Sequence, residues 1–389
     1  MRWEYGSDFS FCETFFSKKN TQNEHKDNGY KENGVKETRL KESFTPQQGL
    51  SWNDVHKTAC GRQAFRALEE HLFAQQAKRH LWLPSYYCQE VLSAFSTQWQ
   101  KTLYECLPGQ PFPTLPTEQL QPGDVLFVCN TFGCWEQPEI TLPENSLLVE
   151  DHTHAPSSRW ARHSKADYCF ASMRKNAPIP DGAILWSPKG HPLPQHPSTS
   201  NEQIGEMRLR AMKLKSQYLE HTYDDKEHFR TLFLQSEDAL AEEKGIVGMS
   251  SYSEKLLRSF QWQEWRESKI HNLKMFRELL KDWHEGVLLD GETEELFSLV
   301  LVFDDQERRD ALRNHLIQKS IYPAILWAIS SEQSSEQAHS LSNRMLSLPV
   351  DGRYHKDDIQ KVCQIIQECR CSNVGSPVPF VQDNMKGVI

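Results

Sequence analysis

Four short runs in this chain carry side chains able to hold or transform a ligand. Cys60-Gly61-Arg62-Gln63-Ala64 sets a glycine at the mouth of a helical pattern. Free backbone N–H groups and the helix dipole there hold a phosphate, although such a glycine also serves as a plain turn. Leu147-Leu148-Val149-Glu150-Asp151-His152-Thr153-His154 is an apolar run ending in acids and histidines. Open α/β sheets place ligand-binding groups there, beyond the carboxyl ends of their strands. A carboxylate in that place pairs with a cationic ring nitrogen. The same run also reads as an Asp-initiated turn, or as three metal-ligand types in Asp151, His152 and His154. No further His/Cys/Asp cluster has ligand spacing, so no metal is expected. In Ala171-Ser172-Met173-Arg174-Lys175-Asn176 a lysine follows a strand, with a serine three residues before it. Most lysines are simply solvated. One held beside another cation, here Arg174, becomes partly neutral and serves as a Schiff-base nucleophile. Finally, Leu83-Pro84-Ser85-Tyr86-Tyr87-Cys88 brings aromatic residues to another strand end. They stack on a flat ring or pack the core, and we expect one of the two tyrosines to be core.

The elements that position these runs follow from periodicity. GRQAFRALEEHLFAQQ spaces Ala64, Phe65, Leu68, Leu72 and Phe73 as one helix face. Short apolar segments at HLWLPSYYC, 102–106, 124–129, 146–150, 167–171 and 182–186 read as strands. Strands alternating with helices and Gly/Pro turns predict an α/β domain with a largely parallel sheet. From Asn201 the pattern becomes helical and densely charged over 202–244, and helical again over 253–284. A strand LFSLVLVF, a helix QERRDALRNHLIQK, a strand-like IYPAILW and a helix beginning near Asp357 complete a smaller α+β lobe. We expect an N-terminal segment over 1–51, a large domain over 52–245, a small one over 246–375 and a tail over 376–389. Residues 17–48 are Lys-, Glu- and Asn-rich and almost free of aliphatics, which predicts a flexible polar arm.

Composition excludes several classes. The 389 residues hold 44 Lys+Arg against 53 Asp+Glu, a charge of −9, which is the wrong balance for an electrostatic nucleic-acid binder. No run of about 18 apolar residues exists, so no membrane span is expected. MRWEYGSDFSFCETFF has no continuous apolar stretch and no small-residue cleavage site, so we expect no secretory signal. The 10 cysteines are scattered without a CxxC pair, which fits a reducing cytoplasm better than a disulfide framework.

In that order, GRQA, LPSYYC, GDVLFVCNTFG, LLVEDHTHA and ADYCFASMRKNAPIPDGA resemble the fold-type-I pyridoxal-phosphate enzymes, and most closely the DegT/StrS-type nucleotide-sugar aminotransferases. The likeness covers residues 52–190 well and the C-terminal lobe more loosely. It implies the fold: a large domain with a mostly parallel mixed sheet flanked by helices, plus a smaller C-terminal α+β lobe. It also implies pyridoxal 5'-phosphate as cofactor and a homodimer. Lys175 then matches the lysine that takes the cofactor covalently and moves the proton. Asp151 matches the carboxylate on the pyridine nitrogen, and His154 the residue packed on the ring. Gly61, Arg62 and Ser172 match phosphate-side positions, while Tyr87 and Asn130 lie in elements that flank the ring.

The implied reaction moves an amino group from an amino acid such as glutamate to a keto sugar, expected to be nucleotide-linked, for polysaccharide or glycan biosynthesis. Arg353 and Arg159 are candidates for an anionic substrate group, each also readable as a surface arginine. The chain departs from the pattern in two places. MSSYSEK stands where a Gly-x-Asn-x-Arg segment usually reaches into the partner subunit, and Cys88 replaces an aromatic. A lyase on the same fold, or a non-catalytic scaffold that kept it, are the alternatives.

Overall fold

The computed structural model describes residues 2–11, 47, 50–75, 80–113, 115–293 and 295–369. The polar arm at 17–48, apart from Gln47, and the tail at 376–389 lie outside the described residues.

The large domain opens with β1 (His56–Thr58) and α1 (Gly61–Gln75). It continues through β2 (His80–Pro84), α2 (Gln89–Ala94), β3 (Gln100–Tyr104), β4 (Val125–Cys129), β5 (Leu147–Asp151), α3 (Arg159–His163), β6 (Tyr168–Ser172) and β7 (Ala183–Trp186). They form a seven-stranded sheet in the order β1-β7-β6-β5-β4-β2-β3. The pairs joining β3, β2, β4, β5 and β6 are parallel, whereas β6–β7 and β7–β1 are antiparallel. Runs such as VLFVC and YCFAS are buried at every position, as expected of strands covered on both faces. Alternation divides them between two cores. Phe127, Val149 and Phe170 meet α1 through Phe65 and Leu68, while Leu126, Leu148, Cys169 and Trp186 belong to the opposite face.

Parallel pairing fixes the geometry of the site. Cys129 is level with Asp151 and Asp151 with Phe170, so these strands end along one edge of the sheet. α1 lies across β6 and β7, which sets its N-terminus above the end of β6. A Cβ on Gly61 would stand 3.3 Å from Cβ of Ser172. The antiparallel turn from β6 to β7 is tight: the Met173 N–H donates to the Gly182 carbonyl at 2.9 Å, and Lys175 rides on that loop.

α4 (Glu202–Leu219) and α5 (Lys226–Glu242) form a helical hairpin packed through Ala211, Met212, Phe229 and Phe233. The stretch predicted as one helix over 253–284 is two, α6 (Ser251–Ser259) and α7 (Trp262–Leu279), broken where Phe260 and Trp262 turn edge to face at 4.7 Å. The lobe adds β8 (Val287–Leu288), β9 (Ser298–Val302), α8 (Gln306–Gln318), α9 (Glu336–Asn343), β10 (Met345–Pro349) and α10 (Lys356–Glu368), with an antiparallel sheet β10-β9-β8. IYPAILW is not a strand. It makes single bridges at Ile321 and Ala324, the first to Tyr5, which ties residues 2–11 to the lobe. No described helix is long and apolar enough to cross a membrane.

Candidate active site

A cavity of about 530 Å³ opens at the carboxyl edge of the large sheet, within the usual size of a small-molecule site. The ends of the parallel strands form its floor, and it brings together Gly61, Arg62, Tyr87, Asp151, His154, Ser172 and Lys175, seven of the eight residues that the resemblance matches to cofactor positions.

Asn130 is the exception. It is not among the cavity residues; its side-chain Oδ1 accepts from the Trp135 N–H at 3.4 Å and its own N–H donates to the Asp151 carbonyl at 3.1 Å. The chain turns sharply after it, with Phe132 at φ +55°, and the side-chain Nδ2 of Asn130 is buried with no hydrogen-bond partner among the described residues.

Asp151 is 4% exposed. Its Oδ2 accepts from the Tyr87 hydroxyl at 2.6 Å and its Oδ1 from the Thr153 N–H at 2.8 Å. Burial, with Asp151 beside it, drives the Tyr87 phenol far above its ordinary range, so Tyr87 stays a donor. Tyr86 is the core member of the pair, its hydroxyl donating to the Leu326 carbonyl at 2.6 Å.

His154 accepts the Phe132 N–H on Nδ1 at 2.9 Å. Burial, followed by the charges of Lys175 and Lys269, pushes its pKa well below the usual value, so the ring is neutral with its proton on Nε2. It lies nearly parallel to Phe297 at 4.4 Å and Trp327 at 5.1 Å, a stack whose tryptophan also lines the cavity.

The reading of Asp151, His152 and His154 as one metal site is corrected by their directions. His152 Nε2 lies 2.8 Å from Glu150 Oε2 on the far face of the sheet, in a buried network with Ser164 and Cys169. Asp151 turns to Tyr87 and His154 to Phe132. Among the described residues, Glu150, His152 and Cys169 are the group of metal-ligand type that lies close together, and hydrogen bonds join them.

Lys175 lines the cavity and has no hydrogen-bond or ion-pair partner among the described residues. Its neighbour Arg174 is buried and donates from Nη2 to Glu237 Oε1 at 2.8 Å. Glu237, on α5, also takes Arg208 at 3.1 Å and lies 4.0 Å from Arg62. Burial pushes this carboxyl up, but Arg174, Arg208 and Arg62 outweigh it and hold it at about 2. The loop is fixed from below as well. Buried Asp181 accepts from Asn201 Nδ2 at 3.1 Å, from the Ser250 N–H at 2.9 Å and from the Ser250 hydroxyl at 2.6 Å, with Ser253 alongside. MSSYSEK is therefore spent on anchoring the lysine loop, and it does not line the cavity.

Sequence reasoning missed the outer wall. Glu4, Gly6, Ser7 and Asp8, the α5 face of Phe229, Phe233 and Glu237, Arg313 of α8 and Trp327 all line the cavity. The i, i+4, i+8 spacing of Phe229, Phe233 and Glu237 was the signal available for α5. Arg353 is not at the cavity. It forms a two-pronged pair with Asp351 and donates to the Ser7 carbonyl, and Arg159 sits exposed at the start of α3.

No protein-family model matches the chain, and no curated protein matches it. Solved structures do match in fold. DesV of S. venezuelae, in complex with a ketimine intermediate, is 15% identical at a TM-score of 0.52, covering 81% of this chain and 84% of its own. The aminotransferase TlmJ of Streptoalloteichus hindustanus is 16% identical at 0.52, covering 82% and 86%. Spr1654 of Streptococcus pneumoniae in its PLP form is 10% identical at 0.53, covering 83% and 88%. The chain has the fold of fold-type-I pyridoxal-phosphate transferases, a mostly parallel mixed sheet flanked by helices.

Proposed function

We propose that the chain is a pyridoxal-phosphate-dependent aminotransferase that moves an amino group from an amino acid, glutamate in the first instance, to a nucleotide-linked keto sugar. The observation that carries this reading is Lys175: an unpartnered lysine on the cavity wall shared with Asp151, below the open N-terminus of α1. DesV and TlmJ, which carry the same fold, add their weight to the choice of reaction.

The residues present fit the cofactor. The N–H groups of Gly61 and Arg62 make no hydrogen bond among the described residues, and neither does the Ser172 hydroxyl, whose oxygen lies 3.9 Å from where a Cβ on Gly61 would be. A side chain there would fill the cradle that a phosphate needs. Asp151 is a buried carboxylate whose two protein donors leave lone pairs for a ring N–H. Tyr87 and His154 supply the aromatic and imidazole walls.

When bound, pyridoxal phosphate supplies an electron sink for the carbanion formed at the donor's α-carbon. The protein's own work is to position and to move protons. Gly61, Arg62 and Ser172 hold the phosphate. Asp151, oriented by Tyr87 and Thr153, keeps the ring nitrogen protonated. Lys175 Nζ would hold the cofactor and, once free, would serve as the base and acid that moves a proton at the donor's α-carbon. The α5 face and the stack of His154 and Trp327 exclude water around that transfer.

The large domain, 52–245, carries the residues assigned to the cofactor, and the lobe, 246–375, adds Arg313 and Trp327 to the cavity wall. The resemblance carries with it a cytoplasmic homodimer, and the free thiols of Cys60, Cys88, Cys129 and Cys169 suit a reducing compartment. Light scattering tests the dimer: a monomer at working concentration removes it.

Supplied with pyridoxal phosphate, the purified protein turns yellow, borohydride fixes the colour to Lys175, and glutamate shifts the absorption to that of the pyridoxamine form. Protein that takes up no cofactor is a non-catalytic bearer of the fold. Protein that takes it up but does not respond to glutamate needs another donor or performs another reaction, such as a lyase step.

A further inference from the structure

The cations around the cavity differ in whether the protein has already paired them. Arg62, Arg174 and Arg208 share Glu237. Lys226 holds Glu4 at 2.5 Å and the Tyr322 hydroxyl at 3.1 Å. Lys215 donates to the Ser7 hydroxyl at 2.7 Å and to the Asp8 carbonyl. Arg230 pairs with Glu227 at 3.0 Å. Among the described residues lining the cavity, Lys175 and Arg313 are the two cations with no ion pair or hydrogen bond. Lys175 is accounted for above, which leaves Arg313.

Arg313 is built into this place. α8 buries Leu312 and Leu316 in the lobe's core and turns Arg313, with Ile317 one turn on, to the cavity. The Nε of Arg313 is buried and has no partner. Arg313 as a whole is partly exposed to the cavity, and a permanent charge carrying a buried donor without an acceptor gains from an anion placed there. The planar guanidinium fork suits a two-oxygen anion, a carboxylate or a phosphate, in bidentate contact.

We propose that Arg313 is the receptor for an oxyanion of the substrate, either the carboxylate of the amino donor or a phosphate of the nucleotide-linked acceptor; this rests on the reading of the cavity given above. Arg313 belongs to the lobe and Lys175 to the large domain, so the two cations reach the shared cavity from different parts of the chain.

The test is calorimetric titration of the cofactor-loaded protein with glutarate, a dicarboxylate that cannot react, and separately with uridine diphosphate. We expect one of the two to bind, and Arg313→Gln to weaken it on the order of 10-fold or more, with Arg313→Lys recovering part of the loss. The cofactor absorption stays unchanged in both variants. Loss of glutarate binding assigns the donor carboxylate, and loss of uridine diphosphate binding assigns the phosphate. The proposal is overturned if neither probe binds the wild-type protein, or if R313Q binds both as the wild type does. Should the protein take up no cofactor, the aminotransferase reading fails on that ground, and the same two titrations on cofactor-free protein still decide Arg313.

Discussion

The Tyr87 hydroxyl donates to Oδ2 of Asp151 at 2.6 Å across the ends of β2 and β5, joining the aromatic strand-end run to the acidic one. This bond and the Thr153 N–H together fix the plane of the carboxylate. Tyr87→Phe keeps the ring and removes the donor. A hydrogen bond to a charged acceptor contributes roughly 1.5–3 kcal/mol, so we expect pyridoxal phosphate to be held about 10- to 100-fold less tightly, read by equilibrium dialysis. Asp151→Asn should lose more, because the amide cannot keep a ring nitrogen protonated. Equal retention in wild type and Tyr87→Phe would show that the bond serves the fold alone.

Lys175 has no partner to lose, so its replacement tests chemistry with little effect on packing. Lys175→Ala should melt within about 1 kcal/mol of wild type, as expected of a substitution away from the core. It should fail to fix the cofactor on borohydride reduction, and mass spectrometry of the reduced protein reads this directly. A borohydride adduct on Lys215 or Lys269 in the wild type would move the site elsewhere.

The floor of the site was legible in sequence because it is local. β4, β5 and β6 are continuous apolar runs that end in the residues they present, so reading the strand end also reads Asp151 and Ser172. Asn130 stands back from the cavity because the chain turns at Phe132, and one sequence does not reveal a positive φ on a phenylalanine. The apolar character of IYPAILW reads as a strand but answers to packing: Leu326 is buried with Tyr86 and Phe132, and Trp327 stacks on His154. The outer wall was out of reach because it is non-local. Asp8, Glu237 and Arg313 meet at one cavity from three distant parts of the chain, and none carries a motif.

Glu237 is the counter-charge for Arg174 and Arg208 and lies near Arg62, and it clamps α5 to the lysine loop. Glu237→Gln leaves these arginines sharing a neutral amide. Removing one partner from a buried ionic cluster costs about 3–5 kcal/mol, and the remaining contact with Asp8 reduces this to about 2–4 kcal/mol in chemical denaturation. The folded-state pKa of about 2 lies below the ordinary glutamate value, so the contribution is complete above about pH 4.5 and is lost as pH falls toward 2. The variant should lack that acid-dependent loss.

Gly182 closes the lysine loop at φ +126°, its carbonyl accepting from Met173. A Cβ there would stand 2.6 Å from Cε of Met249, so Gly182→Ala adds a clash to an unfavourable conformation. We expect about 2–3 kcal/mol of destabilisation and weaker cofactor retention. Gly190→Ala is the control. Its φ of +76° is also left-handed, but nothing stands within 4 Å of the new methyl, so it should cost less and leave the cofactor bound.

His56, fully buried on β1, faces His196 at 5.6 Å. Burial first, and His196 second, lower its pKa to about 4. Between there and the ordinary histidine value near 6.5 the unfolded chain binds the proton and the folded chain does not. Stability therefore rises with pH across that window and falls on acidification through it. This window lies above that of Glu237, so the two are separable in one pH series. His56→Leu keeps an apolar volume against Leu185 and removes the titrating group. We expect the loss between pH 6.5 and 4 to shrink by on the order of 1–2 kcal/mol, while the loss below pH 4 persists. An unchanged slope in the variant would place the titrating group elsewhere.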